Sequence, residues 1–437
     1  MRRQRFVSIY GFAAAAVLLS AGTPAFGAGF GIFEQGTRAM GMAGAFTAQA
    51  DDPSMLFHNP GGLAFVDDSA MAGGFTWIRS LDSEFQGANP FPGEGYTAEL
   101  ETLSEFLPHA YYVAPINTTF KWGVAVNAPF GLVTEWKDPS EFAGRFISSK
   151  AALRAVDVVP TIGWQISPSF GLGFGAIARF SDVELRRSVP QINPFTQRAV
   201  EVARLELESD MDSGYGFTAG LLHKVGRHFS WGLSYRSKVE IDYGGDARLT
   251  QVPSGSTQFD TLIRAALPFD RDLPVETTLE FPDMASLGFA FGLTENLLVE
   301  TDVNWTGWSS FDVLEIDFVG GATNSLPDAE IPEHWDDAMN YRVGLRWLRP
   351  DSEVRLGYVF DETPQPEEAV SPLLPDADRH GITVGYGRTG TGFVWDVALM
   401  YLMFEERERN VSFQGEPPFF GEYNQDAALL GITLGWN

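Results

Sequence analysis

From about residue 69 onward, apolar and polar side chains alternate with a period of two, run after run, and each run predicts a β-strand with one apolar and one polar face. The clearest extends from Phe229 to Tyr243. Phe229, Trp231, Leu233, Tyr235, Val239, Ile241 and Tyr243 fall on one face, with Ser230, Gly232, Ser234, Arg236, Lys238, Glu240 and Asp242 opposite. The pattern returns at Phe120, Trp122, Val124 and Val126, at Tyr341, Val343, Leu345 and Trp347, and at Phe393, Trp395, Val397, Leu399 and Tyr401. Fourteen such strands are predicted, the last being ALLGITLGWN at residues 428–437. Their connections alternate in length. Short ones fall at 115–119, 167–169, 224–228, 293–296, 349–352 and 388–392, and long ones near 81–103, 131–150, 187–212, 244–273, 307–338, 361–378 and 405–424. A soluble sandwich has no reason to keep that alternation. A transmembrane β-barrel does, with short periplasmic turns, long extracellular loops, an even strand number and apolar side chains turned outward to lipid.

Ahead of the strands the chain reads MRRQRF, then FVSIYGFAAAAVLL, then small residues at Ala25 and Gly27. That order predicts a secretory signal peptide over 1–27, cleaved after Gly27. No apolar stretch reaches the roughly 20 residues that a membrane-spanning helix needs. Loss of Arg2, Arg3 and Arg5 leaves 27 basic against 57 acidic side chains, a net charge of −30. Nucleic acid is therefore a poor partner. The chain has no cysteine, which excludes disulfides and thiolate metal sites.

Catalytic and cofactor chemistry finds no support in the motifs. GYGRTG at 385–390 matches GxGxxG in form, but a strand follows it where a phosphate site needs a helix N-terminus. The six histidines are scattered, without HExxH spacing, so neither a metal nor a cofactor is expected. No nucleophile motif supports a lipase, and the chain is not expected to be an enzyme.

Residues 28–66 show neither barrel alternation nor a sustained helical stripe, and a plug folded into the lumen is the reading preferred over a loose lead. The stretch AGFGIFEQGTRAMGMAGAFTAQADDPSMLFHNPGGLAFV resembles the hatch of the FadL family of outer-membrane long-chain fatty acid and hydrocarbon transporters. NAPFGLVTEW (127–136) with FAGRF, WTGWSSFDVL (305–314), EHWDDAMNYRVGLRW (333–347) and FDETPQPEEAVSPLLPDADRHGITVGY (360–386) resemble that family's signatures in the family's order. The resemblance implies a fourteen-stranded outer-membrane barrel over 67–437, closed by an N-terminal hatch over 28–66. It also implies passive transport of long-chain fatty acids or related hydrophobic molecules, with lateral exit where the third strand kinks.

Ala128, Pro129 and Gly131 match that kink, since proline gives no N–H to a ladder and glycine tolerates unusual backbone angles. By the same resemblance Phe30 sits at an inner pocket, and Asn59, Pro60 and Gly61 form the hatch turn, with Gly61 where the family has alanine. That change is expected to loosen the turn. Phe130, Leu132, Val133, Trp136, Phe142 and Phe146 are candidates for an outer groove, and Arg179, Arg186 and Arg236 for holding a carboxylate. Residues 320–341 contain no lysine or arginine, which keeps neutral aromatic hydrocarbons open as cargo. A monomer in contact with outer-membrane lipid and lipopolysaccharide is expected. The competing classes are a general porin and a structural or adhesive barrel.

Overall fold

The computed structural model describes residues 29–81, 83–319, 326–390, 392–414 and 418–436, so the leader sequence predicted for 1–27 lies outside the described residues. Fourteen antiparallel strands form the wall: β1 (Ala70–Ser80), β2 (Ser104–Pro115), β3 (Phe120–Glu135), β4 (Lys150–Ser167), β5 (Phe170–Asn193), β6 (Asp212–Val225), β7 (Phe229–Arg236), β8 (Met284–Gly292), β9 (Leu297–Thr306), β10 (Ala338–Leu348), β11 (Ser352–Asp361), β12 (Arg379–Thr389), β13 (Phe393–Phe404) and β14 (Asp426–Trp436). Each pairs with the next, and β1 closes on β14 from Met71 opposite Trp436 to Ser80 opposite Ala427. Closure gives every wall strand a partner on both sides over at least part of its length, the condition for crossing lipid with strands. All six predicted short turns fall between successive wall strands. Exposed aromatics gather at both rims. Trp122, Trp164, Trp347, Phe393 and Trp436 lie toward the short turns, and Phe106, Tyr215, Tyr341, Tyr358 and Tyr401 toward the long loops.

On the loop side the wall extends into a second layer. Strands Arg198–Ser209, Val239–Gln251, Asp272–Phe281 and Val313–Phe318 continue the sheet, and helix Thr257–Ala266 packs Phe259 and Ile263 against Leu205, Leu249 and Leu273. Ser256 caps that helix by accepting the Phe259 N–H.

The strand read from Phe229 to Tyr243 is in fact broken. Ser237 and Lys238 leave the ladder, and the Ser237 N–H donates to the Phe217 carbonyl at 2.8 Å while its Oγ accepts the Phe217 N–H at 2.9 Å. The break reverses the facing of everything beyond it, as a bulge does. Leu233 is exposed, but Val239, Ile241 and Tyr243 are buried in the main core beside Phe30.

Residues 29–66 contribute no wall strand and pack against the inner face on nearly all sides. Two single helical turns (Thr37–Met40 and Met55–His58) and a 3-10 stretch (Pro60–Phe65) hold their side chains almost entirely buried. The glycines seen on polar strand faces explain the fit. A Cβ on Gly173 of β5 would run into Pro60, and one on Gly357 of β11 into Met42. Carboxylates complete the attachment. Asp302 of β9 accepts the N–H groups of Phe46 and Thr47, both at 2.9 Å, and Glu300 accepts those of Ala48 and Gln49.

Candidate functional site

β3 starts as a regular strand, paired with β2 from Lys121 opposite Pro115 to Val126 opposite Ala110. At Asn127 the pairing with β4 slips, resuming at Phe130, so Ala128 and Pro129 fall in the irregularity while Gly131 is back in register opposite Arg154. From there β2 and β3 part company. Ser104–His109 of β2 stay paired with β1 but have no partner in β3, while Phe130–Glu135 of β3 stay paired with β4. Contact returns above, where the Glu101 N–H donates to the Glu135 carbonyl at 2.7 Å and the Lys137 N–H to the Glu99 carbonyl at 3.0 Å. The result is a window between two wall strands, about 20 Å long at roughly 3.3 Å per residue.

The N-terminal segment backs this window from inside. The Ile32 N–H donates to the Pro129 carbonyl at 2.8 Å, and the Gly131 N–H to the Phe30 carbonyl at 3.0 Å. The Gln35 side chain substitutes for a neighbouring strand. Its Nε2 donates to the Ala128 carbonyl at 2.7 Å and its Oε1 accepts the Ala128 N–H at 3.2 Å. Main-chain groups that the split would orphan are thereby satisfied. His58 holds Gln35 in turn through the Gln35 carbonyl, 2.8 Å from Nε2. Burial pushes the His58 imidazole down to about 4, so near neutral pH it is uncharged and donates its one N–H there.

Above the segment lies a cavity of about 130 Å³ whose wall is almost wholly apolar, formed by Leu132, Leu153, Val183, Leu207, Tyr243 and Leu279 among others. Phe30 is its floor, within a box of aromatic rings whose centroids lie 4.6 Å (Trp308), 5.7 Å (Phe311), 5.8 Å (Trp335), 6.0 Å (Phe130) and 6.2 Å (Phe281) away. Phe30 and Leu132 also line a second space of about 190 Å³, which runs along Gly131–Glu135, Leu100 and Leu103 at the window. Phe30 therefore stands between the apolar cavity and the gap in the wall.

The sequence candidates divide into those gathered here and those placed elsewhere. Phe30, Phe130 and Leu132 join at the cavity floor, and Val133 borders the window. Trp136 and Phe142 stack on each other at 4.2 Å inside a separate buried cluster with Phe85, Phe419 and Tyr423, so they pack the loops instead of lining the cavity. Phe146 lines a neighbouring groove under the Arg145 guanidinium. Arg179 is clamped by Asp157 through two hydrogen bonds of 2.7 and 2.9 Å, and Arg236 donates to the same carboxylate at 2.8 Å. Arg186 lies against Glu184 at 2.8 Å. The turn at Asn59, Pro60 and Gly61 is tight, contrary to the expected loosening. Asn59 Oδ1 accepts the Gly61 N–H at 2.9 Å, and a Cβ on Gly61 would press 2.7 Å from the main chain at Leu221 and Leu222.

Gln35, Asp157, Trp308 and Trp335 were not singled out from the sequence. The two tryptophans fall within quoted motifs, but nothing local places them beneath Phe30. At the outer end of the segment the Gly29 N–H donates to Asp376 at 3.1 Å, and Thr363 hydrogen-bonds both Asp376 and Asp378. Burial raises the Asp376 carboxyl above its ordinary range, and burial with the nearby Glu405 carboxylate pushes Asp378 up to about 7.

A family model described as outer membrane protein transport protein (OMPP1/FadL/TodX) matches residues 18–436. The long-chain fatty acid transport protein of Escherichia coli K12 is 26% identical over 461 residues, covering 97% of each chain. Outer membrane protein P1 of Haemophilus influenzae is 26% identical over 409 residues, covering 85% of this chain and 84% of the relative. Among solved structures, a Pseudomonas aeruginosa FadL homologue superposes with a TM-score of 0.79 at 21% identity, covering 94% of this chain and 99% of the other. The Pseudomonas putida toluene transporter TodX gives 0.71 at 15% identity, covering 95% and 99%; at these identities the likeness shows the fold.

Proposed function

Since the chain belongs to the OMPP1/FadL/TodX family of outer-membrane transport proteins, we propose that it is a passive uptake channel for hydrophobic molecules, with exit sideways through the β2–β3 window. Relatives named as fatty acid and toluene transporters support the cargo class, and they are transporters, in keeping with a chain that catalyses no reaction. The observation that carries the route is the split between Ser104–His109 and β3, reached from the apolar cavity past Phe30.

The physical case is one of solvent. Each methylene transferred from an apolar site to water costs about 0.8 kcal/mol. A long acyl or alkyl chain leaving into the periplasm would thus meet a barrier on the order of 10 kcal/mol, whereas sliding from the cavity through the window into bilayer keeps it apolar throughout. Residues 29–66 act as the hatch. They block the lumen that an open porin would need, and their first residues seal the window. Opening needs only the strand-like contacts at residues 29–35 to release, while the carboxylates Asp302 and Glu300 keep the rest attached. The barrel works as a monomer, each one carrying its own cavity and window, bathed in outer-membrane lipid and lipopolysaccharide.

Uptake of labelled hydrophobic probes by cells lacking their own transporter tests the route. Replacing the kink by Pro129→Thr with Gly131→Val should let β3 pair along its length and abolish uptake in barrels that still insert. Normal uptake by such barrels refutes lateral exit.

A further inference from the structure

Resting on that uptake reading, we infer that the cavity selects uncharged hydrophobic molecules over those bearing a carboxylate. Of the residues lining the cavity, the titratable ones are Glu184, Glu208 and Tyr243, with no lysine, arginine or histidine among them. The Tyr243 hydroxyl is committed to Ser181 Oγ at 2.8 Å.

Several cations on the surrounding strands are engaged by neighbouring carboxylates. Lys150 pairs with Glu184 at 2.8 Å, Arg154 with Asp182 at 3.3 Å, and Arg186 with Glu184. Arg179 lies over the Phe130 and Phe281 rings, and both of its hydrogen bonds to a carboxylate go to Asp157. Asp157 also takes Arg236 and is itself wholly buried. The two guanidiniums share the single Asp157 carboxylate, with Arg236 Nη1 left buried without a hydrogen-bond partner among the described residues, and neither side chain lines the cavity.

Arg187 lies farther out on β5 and is not among the residues that line the cavity. It lines the neighbouring groove of about 200 Å³, where Glu330, Glu333 and Glu368 outnumber Arg187 and Arg409. A cargo carboxylate would meet excess negative charge there, and in the cavity it would be desolvated without a counter-ion, an arrangement that apolar sites reject. An ester, alcohol or hydrocarbon of the same length carries no such penalty.

Cells lacking their own transporter and expressing the full chain are offered labelled oleate or labelled methyl oleate at equal free concentration, with empty-vector uptake subtracted. Ester uptake should exceed acid uptake by about tenfold or more. Oleate entering as fast as its ester, or faster, overturns this selectivity and leaves the channel reading standing. If neither probe enters above background, the channel reading itself fails, and the selectivity with it. A second test uses purified barrel in nanodiscs, where methyl oleate should change the fluorescence of Trp308 and Trp335 at lower concentration than oleate does; equal concentrations would count against the inference. Leu314→Lys, at a half-buried wall position, should shift the preference toward oleate. An inserted variant that takes up ester and still excludes acid would show that the missing cation is not the cause.

Discussion

Replacing Gln35 by leucine isolates the latch from the rest of the hatch. The leucine keeps much of the bulk but can neither donate to the Ala128 carbonyl nor accept its N–H, the two bonds of 2.7 and 3.2 Å that tie the segment to the kink. Each such bond contributes about 1 kcal/mol net, and more if the abandoned groups stay buried, so the closed state loses about 2 kcal/mol or more. Because 1.4 kcal/mol is a factor of ten, the open fraction should rise roughly 30-fold as long as the closed form dominates. Initial rates of methyl oleate uptake at equal levels of inserted barrel measure the effect. Gln35→Glu retains an acceptor for the Ala128 N–H and loses the donor, so its rate should fall between wild type and leucine. The His58 contact goes to the main-chain carbonyl of Gln35 and survives both changes. Wild-type or slower uptake by correctly inserted Gln35→Leu barrels would refute the idea that this side chain holds the window shut.

Asp302→Ala removes the acceptor for two hatch N–H groups; hydrogen bonds to a charged group contribute about 1.5–3 kcal/mol each, so the variant should lose about 3–6 kcal/mol of hatch attachment and raise single-channel ion conductance in planar bilayers, and unchanged conductance would count against that anchoring role. A carboxyl whose folded-state pKa lies above its unfolded value favours the folded loop while protonated. For Asp378, at about 7, the contribution is therefore full below the ordinary carboxylate range near pH 4 and is lost as pH rises to about 7. Proteolysis of the 361–378 loop in intact cells should accelerate from pH 5 to pH 8 in wild type and show a flatter profile in Asp378→Asn.

The alternation of strand faces, the alternation of loop lengths and the proline at 129 are local properties, and each was legible in the chain. A strand in lipid must turn apolar side chains outward at every second position, and a turn must be short where nothing sits beneath it; both demands are written residue by residue. What sequence could not carry is pairing across long separations. The proline is visible at 129, but the window exists because Ser104–His109 stay with β1, and the side chain that hydrogen-bonds Ala128 there is Gln35, nearly a hundred positions away. Arg179 and Arg236 looked available to an anion until the barrel brought both onto Asp157. The run from Phe229 to Tyr243 preserves its period through Ser237 and Lys238, so only the break in the ladder reveals that its second half turns into the buried core. Period-two patterning states which residues share a face within one unbroken strand; where a strand breaks, the facing of the next segment is decided by the neighbours it pairs and packs with, and that is a property of the closed barrel alone.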